Sequence, residues 1–316
     1  MRRAIREILN KAVGRQEKQP VSPHLIDNLI RAMSESEPAG EGVEHLAKKL
    51  DHLIHAMRLS GHLAGLSKGQ VNAILYALRE AGHKNVTPLE DATYNQDGLA
   101  SIHNADFLQD ARFVQAYQRG IAAAGTDSHW HWRVHVGLWA ACHAAHLAGD
   151  FIECGVNRGF LSSAIMQYLD WNSLGKRFFL LDTFKGLDET FISDEERRLG
   201  KTASFNEYTE CYDDALRNFA EFQHVTLIRG AVPTTLPLVD TNAVSYLHID
   251  MNCVMPEIAA IAHFWDRLVP AAVVLLDDYA CRGYEPQKRG MDEFATQTGV
   301  HILSLPTSQG LVLKPH

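Results

Sequence analysis

Asp150-Phe151-Ile152-Glu153-Cys154-Gly155-Val156-Asn157-Arg158-Gly159 is the stretch on which the fold turns. It reads as a short buried strand with an acid at its end, a glycine-lined turn, and a helix opening at Phe160. A strand that runs through such a turn into a helix gathers free backbone N–H groups and a positive dipole end at one point. Gly155 would let a ligand approach the backbone, and Gly159 would let helix and strand pack closely. Glu153 can accept hydrogen bonds from the donors or the cationic group of a ligand. The pattern is E-x-G-x-x-x-G and lacks the G-x-G-x-x-G of dinucleotide folds, so alone it is equally a plain strand, turn and helix.

The chain on either side decides between these readings. After Gly159, strands and helices alternate. Arg177–Asp182, His224–Arg229, Ala243–Asp250 and Ala272–Leu276 read as strands. Tyr208–Phe222, Met255–Leu268 and Met291–Thr298 read as amphipathic helices. Such alternation means an α/β fold with a parallel sheet covered on both faces. Val300–Ser304 and Gly310–Leu313 are separated only by Leu305–Gln309, too short for a parallel crossover, so they form an antiparallel C-terminal hairpin. Upstream, Phe107–Ala124 and Trp130–Leu147 read as helices leading into the first strand. Between them, His129-Trp130-His131-Trp132-Arg133 is either a metal-binding run or a helix start with aromatic packing; no Cys or carboxylate joins the histidines, which favours the second.

The chain divides near residue 100: 1–100 is expected to be a helical N-terminal extension and 101–316 the α/β domain. Val43, Leu46, Leu50, Leu53, Ile54 and Met57 recur at helical spacing, as do Val71, Ile74, Leu75 and Leu78. Ser34–Gly42 reads as a linker. The 316 residues are 46% hydrophobic and 22% charged, the balance of a soluble globular enzyme. A net charge of −8 argues against a nucleic-acid surface, and no apolar run is long enough to span a membrane. Five cysteines lie scattered without metal spacing. Cys142, Cys154 and Cys253 sit in apolar contexts as reduced buried thiols, so a cytoplasmic location is expected.

The strand ends carry acids: Glu153, Asp182, Asp250, and Asp277 with Asp278. In a parallel sheet these converge on one edge, where ligands bind. Glu153 and Asp182 follow the first two strands, and an acid after the second strand is placed to hold ribose hydroxyls. Asp250, Asp277 and Asp278 follow the fourth and fifth strands and make an oxygen-rich site for a hard divalent cation, Mg²⁺ before others.

At this point the chain resembles a known family, the macrocin O-methyltransferases, over roughly residues 104–315. The marks are Phe113-x-x-Ala116-Tyr117, Gly149–Gly155, Leu181-Asp182-Thr183-Phe184-Lys185-Gly186-Leu187, Arg229-Gly230 with Thr235-Leu236-Pro237, and Asp277-Asp278-Tyr279. The resemblance implies a doubly wound, mostly parallel seven-stranded sheet of the class I methyltransferase, Rossmann-like type, with a reversed last strand. It implies S-adenosylmethionine as cofactor and Mg²⁺ or Mn²⁺ as metal. Glu153, Gly155 and Gly159 would line the methionine and ribose side, and Asn157 and Arg158, opening the helix, would touch the cofactor carboxylate, with Arg158 equally readable as a surface cation. Asp182 would hold the ribose, with Thr183 and Phe184 beside it, and Gly230-Ala231 would lie near the adenine. Asp250, Asp277 and Asp278 match the family's metal ligands. The segment Thr183–Ser204 would be a mobile flap, or else a solvated surface loop.

Two departures stand out. The family's second acid after strand four is Asn252 here, in Asp250-Met251-Asn252, so the position resembling its general base carries an amide that takes no proton at neutral pH. The usual Pro-Gly-Gly before strand five is Pro270-Ala271-Ala272. The expected function is O-methylation of a hydroxyl on a sugar or glycosylated natural product, with Asp250 and Asn252 at the catalytic centre. The alternatives are a catalytically weakened cofactor-binding protein of the same fold, an amine or phenol acceptor, or an oxidoreductase. The expected partners are the small-molecule acceptor and further copies of the chain, with neither nucleic acid nor membrane.

Overall fold

The computed structural model describes residues 92–202 and 208–316. Contacts within the chain separate two compact units, Met1–Ala105 and Asp106–His316. In the first, the described residues form an antiparallel hairpin of β1 (Tyr94–Gln96) and β2 (Leu99–Ser101). Asp97 and Gly98 turn it with φ of 50° and 70°, as a two-residue hairpin turn requires. The sequence reading predicts no strand there, because three-residue strands carry too little periodicity. The helices expected before residue 82 and the linker Ser34–Gly42 lie outside the described residues.

In the second unit, α1 (Ala111–Ala124) and α2 (His131–Ala145) lead into β3 (Asp150–Cys154). There follow α3 (Phe160–Leu169), β4 (Phe178–Asp182), α4 (Asp194–Arg198), α5 (Tyr212–Phe219) and β5 (Val225–Arg229). Then come β6 (Val244–Ile249), α6 (Val254–Phe264), β7 (Leu268–Leu276), α7 (Glu285–Thr298), β8 (Leu303–Ser304) and β9 (Gly310–Leu313). The sheet order is β5-β4-β3-β6-β7-β9-β8. The first five are parallel; β9 runs antiparallel to β7, and β8 to β9. This is the seven-stranded, mostly parallel sheet with a reversed final pair. The chain winds outward from β3 to β5, then returns to β6 on the other side. The reversal leaves a crevice at the carboxyl ends of β3 and β6.

Period-two alternation explains why both faces are covered. Phe151, Phe178, Leu180, Tyr246 and Val273 point to the core shared with α1, α2 and α3. Ile152, Cys154, Phe179, Leu181, Leu247 and Val274 point to the core shared with α6 and Met291 of α7. β7 starts earlier than its apolar run suggests, taking in Pro270 and Ala271. The β6–β7 pairing shifts register between Val244 and Tyr246 to absorb them. α7 likewise starts at Glu285 rather than Met291, with proline in its first turn, where no N–H is needed. The cysteines are free; Cys211 is buried with Cys154 and Cys253, whereas Cys142 is only half-buried, contrary to its apolar context. Among the described residues no helix is long and apolar enough to cross a membrane.

Candidate active site

The crevice holds two cavities. The larger, about 460 Å³, is lined by Glu153, Arg158, His248, Asp277, Asp278 and Tyr284, among others. The smaller, about 80 Å³, reaches Thr183, Phe184, Gly230 and Ala231. Gly155, Asn157, Asp182, Tyr208, Asp250 and Asn252 line both. Every site residue expected from the sequence therefore lines one or both cavities, except Gly159. A Cβ at Gly159, whose φ is +89°, would lie 2.2 Å from Cζ of Phe219 in α5. The space beside Gly159 is taken by that ring.

Gly155, which lines both cavities, has a further reason to be glycine. Its φ is +93°, and a Cβ there would lie 1.8 Å from the Asp250 carbonyl oxygen. The last rung of the β3–β6 ladder, from Asp250 N–H to the Cys154 carbonyl at 2.8 Å, presses the end of β6 into that space. The glycine thus admits the chain's own backbone and so places Asp250.

Asp182 staples the turn after β3. Its Oδ2 accepts from the backbone N–H groups of Val156 at 2.6 Å and Asn157 at 2.7 Å. Its Oδ1 accepts from Phe184 N–H at 2.6 Å and, more weakly, from the Thr183 hydroxyl at 3.3 Å. These four donors occupy most of what a carboxylate can accept, so Asp182 shapes the turn as well as lining both cavities. Phe184 turns its ring into the core against Tyr212. Arg158 donates from Nε to Asp214 of α5 at 3.0 Å.

Glu153 is 3% exposed, and its Oε1 pairs with Nδ1 of His248 at 2.9 Å. Its Oε2 is buried with no hydrogen-bond partner. A buried carboxylate oxygen left unpaired is costly unless a ligand donor meets it. His248 Nε2, also without a hydrogen bond, lies 3.8 Å from Asp277 Oδ1. Burial disfavours the charge on His248, but the Asp277 and Glu153 carboxylates outweigh it and raise its pKa to about 10. His248 thus bridges the Glu153 corner and the Asp277 corner. Its sequence signal is its place two residues before Asp250, on the same face of a strand otherwise apolar there.

Asp250, Asp277 and Asp278 come together as the strand ends predict. One carboxylate oxygen from each lies within 4.8 Å of the others. Burial and the facing Asp277 and Asp278 push the Asp250 carboxyl well above the ordinary range. Burial and Asp277 raise Asp278 to about 6. Asp277 stays low against burial, because the Arg133 guanidinium lies 2.5 Å from its Oδ2. Gln309 donates to its Oδ1 at 2.9 Å. Three hard oxygen donors that repel one another fit a divalent cation with hard-oxygen preference. Among the described residues this is the one cluster of its kind. His129 and His131 do not build another: His131 opens α2 and stacks on Tyr117 with ring centroids 4.1 Å apart. Arg133 and Gln309 carry no sequence signal for this site, since their partners are 144 and 32 positions away.

Asn252 sits in a polar web. Its Nδ2 donates to Asp250 Oδ1 and to the Tyr208 hydroxyl, each at 3.3 Å, and its Oδ1 accepts from the Tyr284 hydroxyl at 2.7 Å. Lys201 donates to its carbonyl at 2.9 Å and lies 3.5 Å from the centre of the Tyr284 ring. Lys201 and Glu196 are buried although they belong to the charged segment expected to be a flap or a solvated loop. Glu196 closes a capping box on Ser193 and accepts from Val254 N–H at 2.8 Å, at the start of α6. The described part of the segment is therefore latched onto the site wall; residues 203–207 lie outside the described residues.

A doubly wound sheet in this order, with its acids gathered at the switch point, is the fold of class I methyltransferases. Residues 134–303 match the model of the macrocin-O-methyltransferase (TylF) family, more than half of the chain, and the chain belongs to that family. It is accordingly an O-methyltransferase of the sugar or natural-product type. Among solved structures, the O-methyltransferase NovP superposes with a TM-score of 0.54 at 16% identity, covering 67% of this chain and 100% of that one. The calicheamicin methyltransferase CalS11 superposes with a TM-score of 0.50 at 14% identity, covering 72% and 96%. At these identities the likeness is one of fold. No curated protein matches the chain.

Proposed function

We propose that the protein methylates a hydroxyl of a sugar or glycosylated natural product, using S-adenosylmethionine and a divalent cation. One observation carries this reading. A single cavity joins an unpartnered, buried carboxylate oxygen of Glu153 to three mutually repelling carboxylates at the neighbouring strand ends. The first fits a ligand's ammonium, the second a hard cation. When bound, S-adenosylmethionine supplies a methyl group on a sulfonium, ready for displacement. When bound at Asp250, Asp277 and Asp278, Mg²⁺ or Mn²⁺ supplies the Lewis acidity that lowers the pKa of a hydroxyl. The protein's own work is positional. Glu153, fixed by His248, receives positive charge. Asp182 holds the N–H groups of the turn in place and lines the wall toward Gly230-Ala231. Asn252 orients the acceptor or a water and takes no proton.

The test is a mass-spectrometric screen of sugar, phenol and amine acceptors with S-adenosylmethionine and Mg²⁺, beside calorimetry with S-adenosylmethionine and NAD. A sugar ether is the expected product, and binding of NAD alone would overturn the reading. Glu153→Gln should weaken S-adenosylmethionine about ten- to a hundredfold, the loss of one charged hydrogen bond to a ligand. Unchanged affinity would remove Glu153 from the cofactor side.

Asn252 favours one second reading, a cofactor-binding protein weakened in catalysis. Asn252→Asp separates the two. For a working enzyme the rate changes by less than about tenfold, a small part of the range general bases span, and activity extends to lower pH. Clear turnover in the variant, where the natural protein shows none on the same acceptor, would establish the weakened reading.

A further inference from the structure

A cation already lies inside the acid cluster. Arg133 reaches it from the first turn of α2, with Nη1 2.5 Å from Asp277 Oδ2 and 3.5 Å from Asp278 Oδ1. Its Nη2 donates to the Ser308 hydroxyl at 2.7 Å, and the side chain is 14% exposed. A guanidinium does not lose its proton in a protein. Gln309 holds the other oxygen of Asp277, so this carboxylate is oriented from both sides before any ligand arrives. The guanidinium therefore adds one fixed positive charge beside the three carboxylates, whatever their own protonation.

We propose that Arg133 is a permanent positioning residue of the cation site, its fixed positive charge favouring a divalent ion over a trivalent one. The inference rests on the cation reading above. Coulomb energy scales with the charge of the ion, so the nearby guanidinium repels a trivalent ion more than a divalent one. Over about 5 Å at protein-surface dielectric values, the extra unit charge is worth roughly tenfold or more in relative affinity. Comparing the two ions as a ratio cancels any disorder that a substitution brings to Asp277, since both ions meet the same disordered ligand.

The test uses the full chain and the metal ions alone, Mn²⁺ by calorimetry and Tb³⁺ by luminescence, with Asp250→Asn marking the site. Arg133→Met should shift the ratio of the two affinities toward Tb³⁺ by about tenfold or more. Arg133→Lys keeps the charge, and Ser308→Ala loses only an anchor; both should leave the ratio within about threefold of the natural protein. If Arg133→Met moves both ions by one factor, or Arg133→Lys shifts the ratio as methionine does, Arg133 merely packs α2 against the sheet and the proposal falls. If neither ion binds the natural protein in a way that Asp250→Asn alters, the cation reading itself fails and takes the proposal with it.

Discussion

Excess chelator, or Asp278→Ala, lowers turnover by about a hundredfold or more, the scale on which removing one preorganised electrostatic partner acts. Added Mg²⁺ or Mn²⁺ restores the chelated protein but not the variant. The affinity for S-adenosylmethionine stays within about twofold in Asp278→Ala, because the residue shares no direct contact with Glu153 or Asp182. Asp277→Ala behaves differently. Asp277 lies 3.8 Å from His248, which holds Glu153 at 2.9 Å. Removing it loosens the Glu153 corner, so this variant loses turnover and also weakens the cofactor. Turnover kinetics and calorimetry on the two variants measure the contrast. Full activity in excess chelator would sink the cation reading and leave the acid trio a turn and capping role.

Gly155→Ala lowers the melting temperature by on the order of 10 °C, or yields no soluble protein. Two costs add. Alanine at φ +93° costs about 1–2 kcal/mol in the left-handed region. Its Cβ would also overlap the Asp250 carbonyl, which belongs to backbone and cannot swing aside, and such overpacking adds about 1–3 kcal/mol or more. The sum is a large part of the stability of an ordinary domain. Relief requires the end of β6 to move away from β3, carrying Asp250 out of the acid trio, so any folded fraction also loses cation binding. Calorimetric melting and a Mn²⁺ titration read both effects. A melting point within about 2 °C of the natural protein would mean that the two strand ends separate without cost.

Sequence order alone determined the architecture. The apolar runs at β3, β4, β6 and β7 are long enough to show themselves, and the five residues between the last two strands forbid a crossover, so winding and final reversal follow from connection length. The acids Glu153, Asp182, Asp250, Asp277 and Asp278 were legible for the same reason: they stand at the ends of largely apolar runs, Asp278 directly behind Asp277, and a parallel sheet gathers such positions at one edge. The Asn252 substitution was legible too, because it is the identity of a single residue in a recognisable segment.

What those acids do there was decided only in three dimensions. Asp182 spends its oxygens on N–H groups 25 and 26 positions away. Glu153 takes its partner 95 positions away on β6, and Asp277 its guanidinium 144 positions away on α2. Lys201 and Glu196, read as loop charges, are buried against the site wall. Gly155, read as room for a ligand, also makes room for the end of β6. Periodicity and propensity report how a segment lies against an average interior, face by face. They carry no record of which remote side chain arrives at a strand end, because that is set by the packing of whole layers. The sequence therefore determined where the charges of this methyltransferase gather, and the tertiary structure decided which are spent on the chain itself and which are left for ligands.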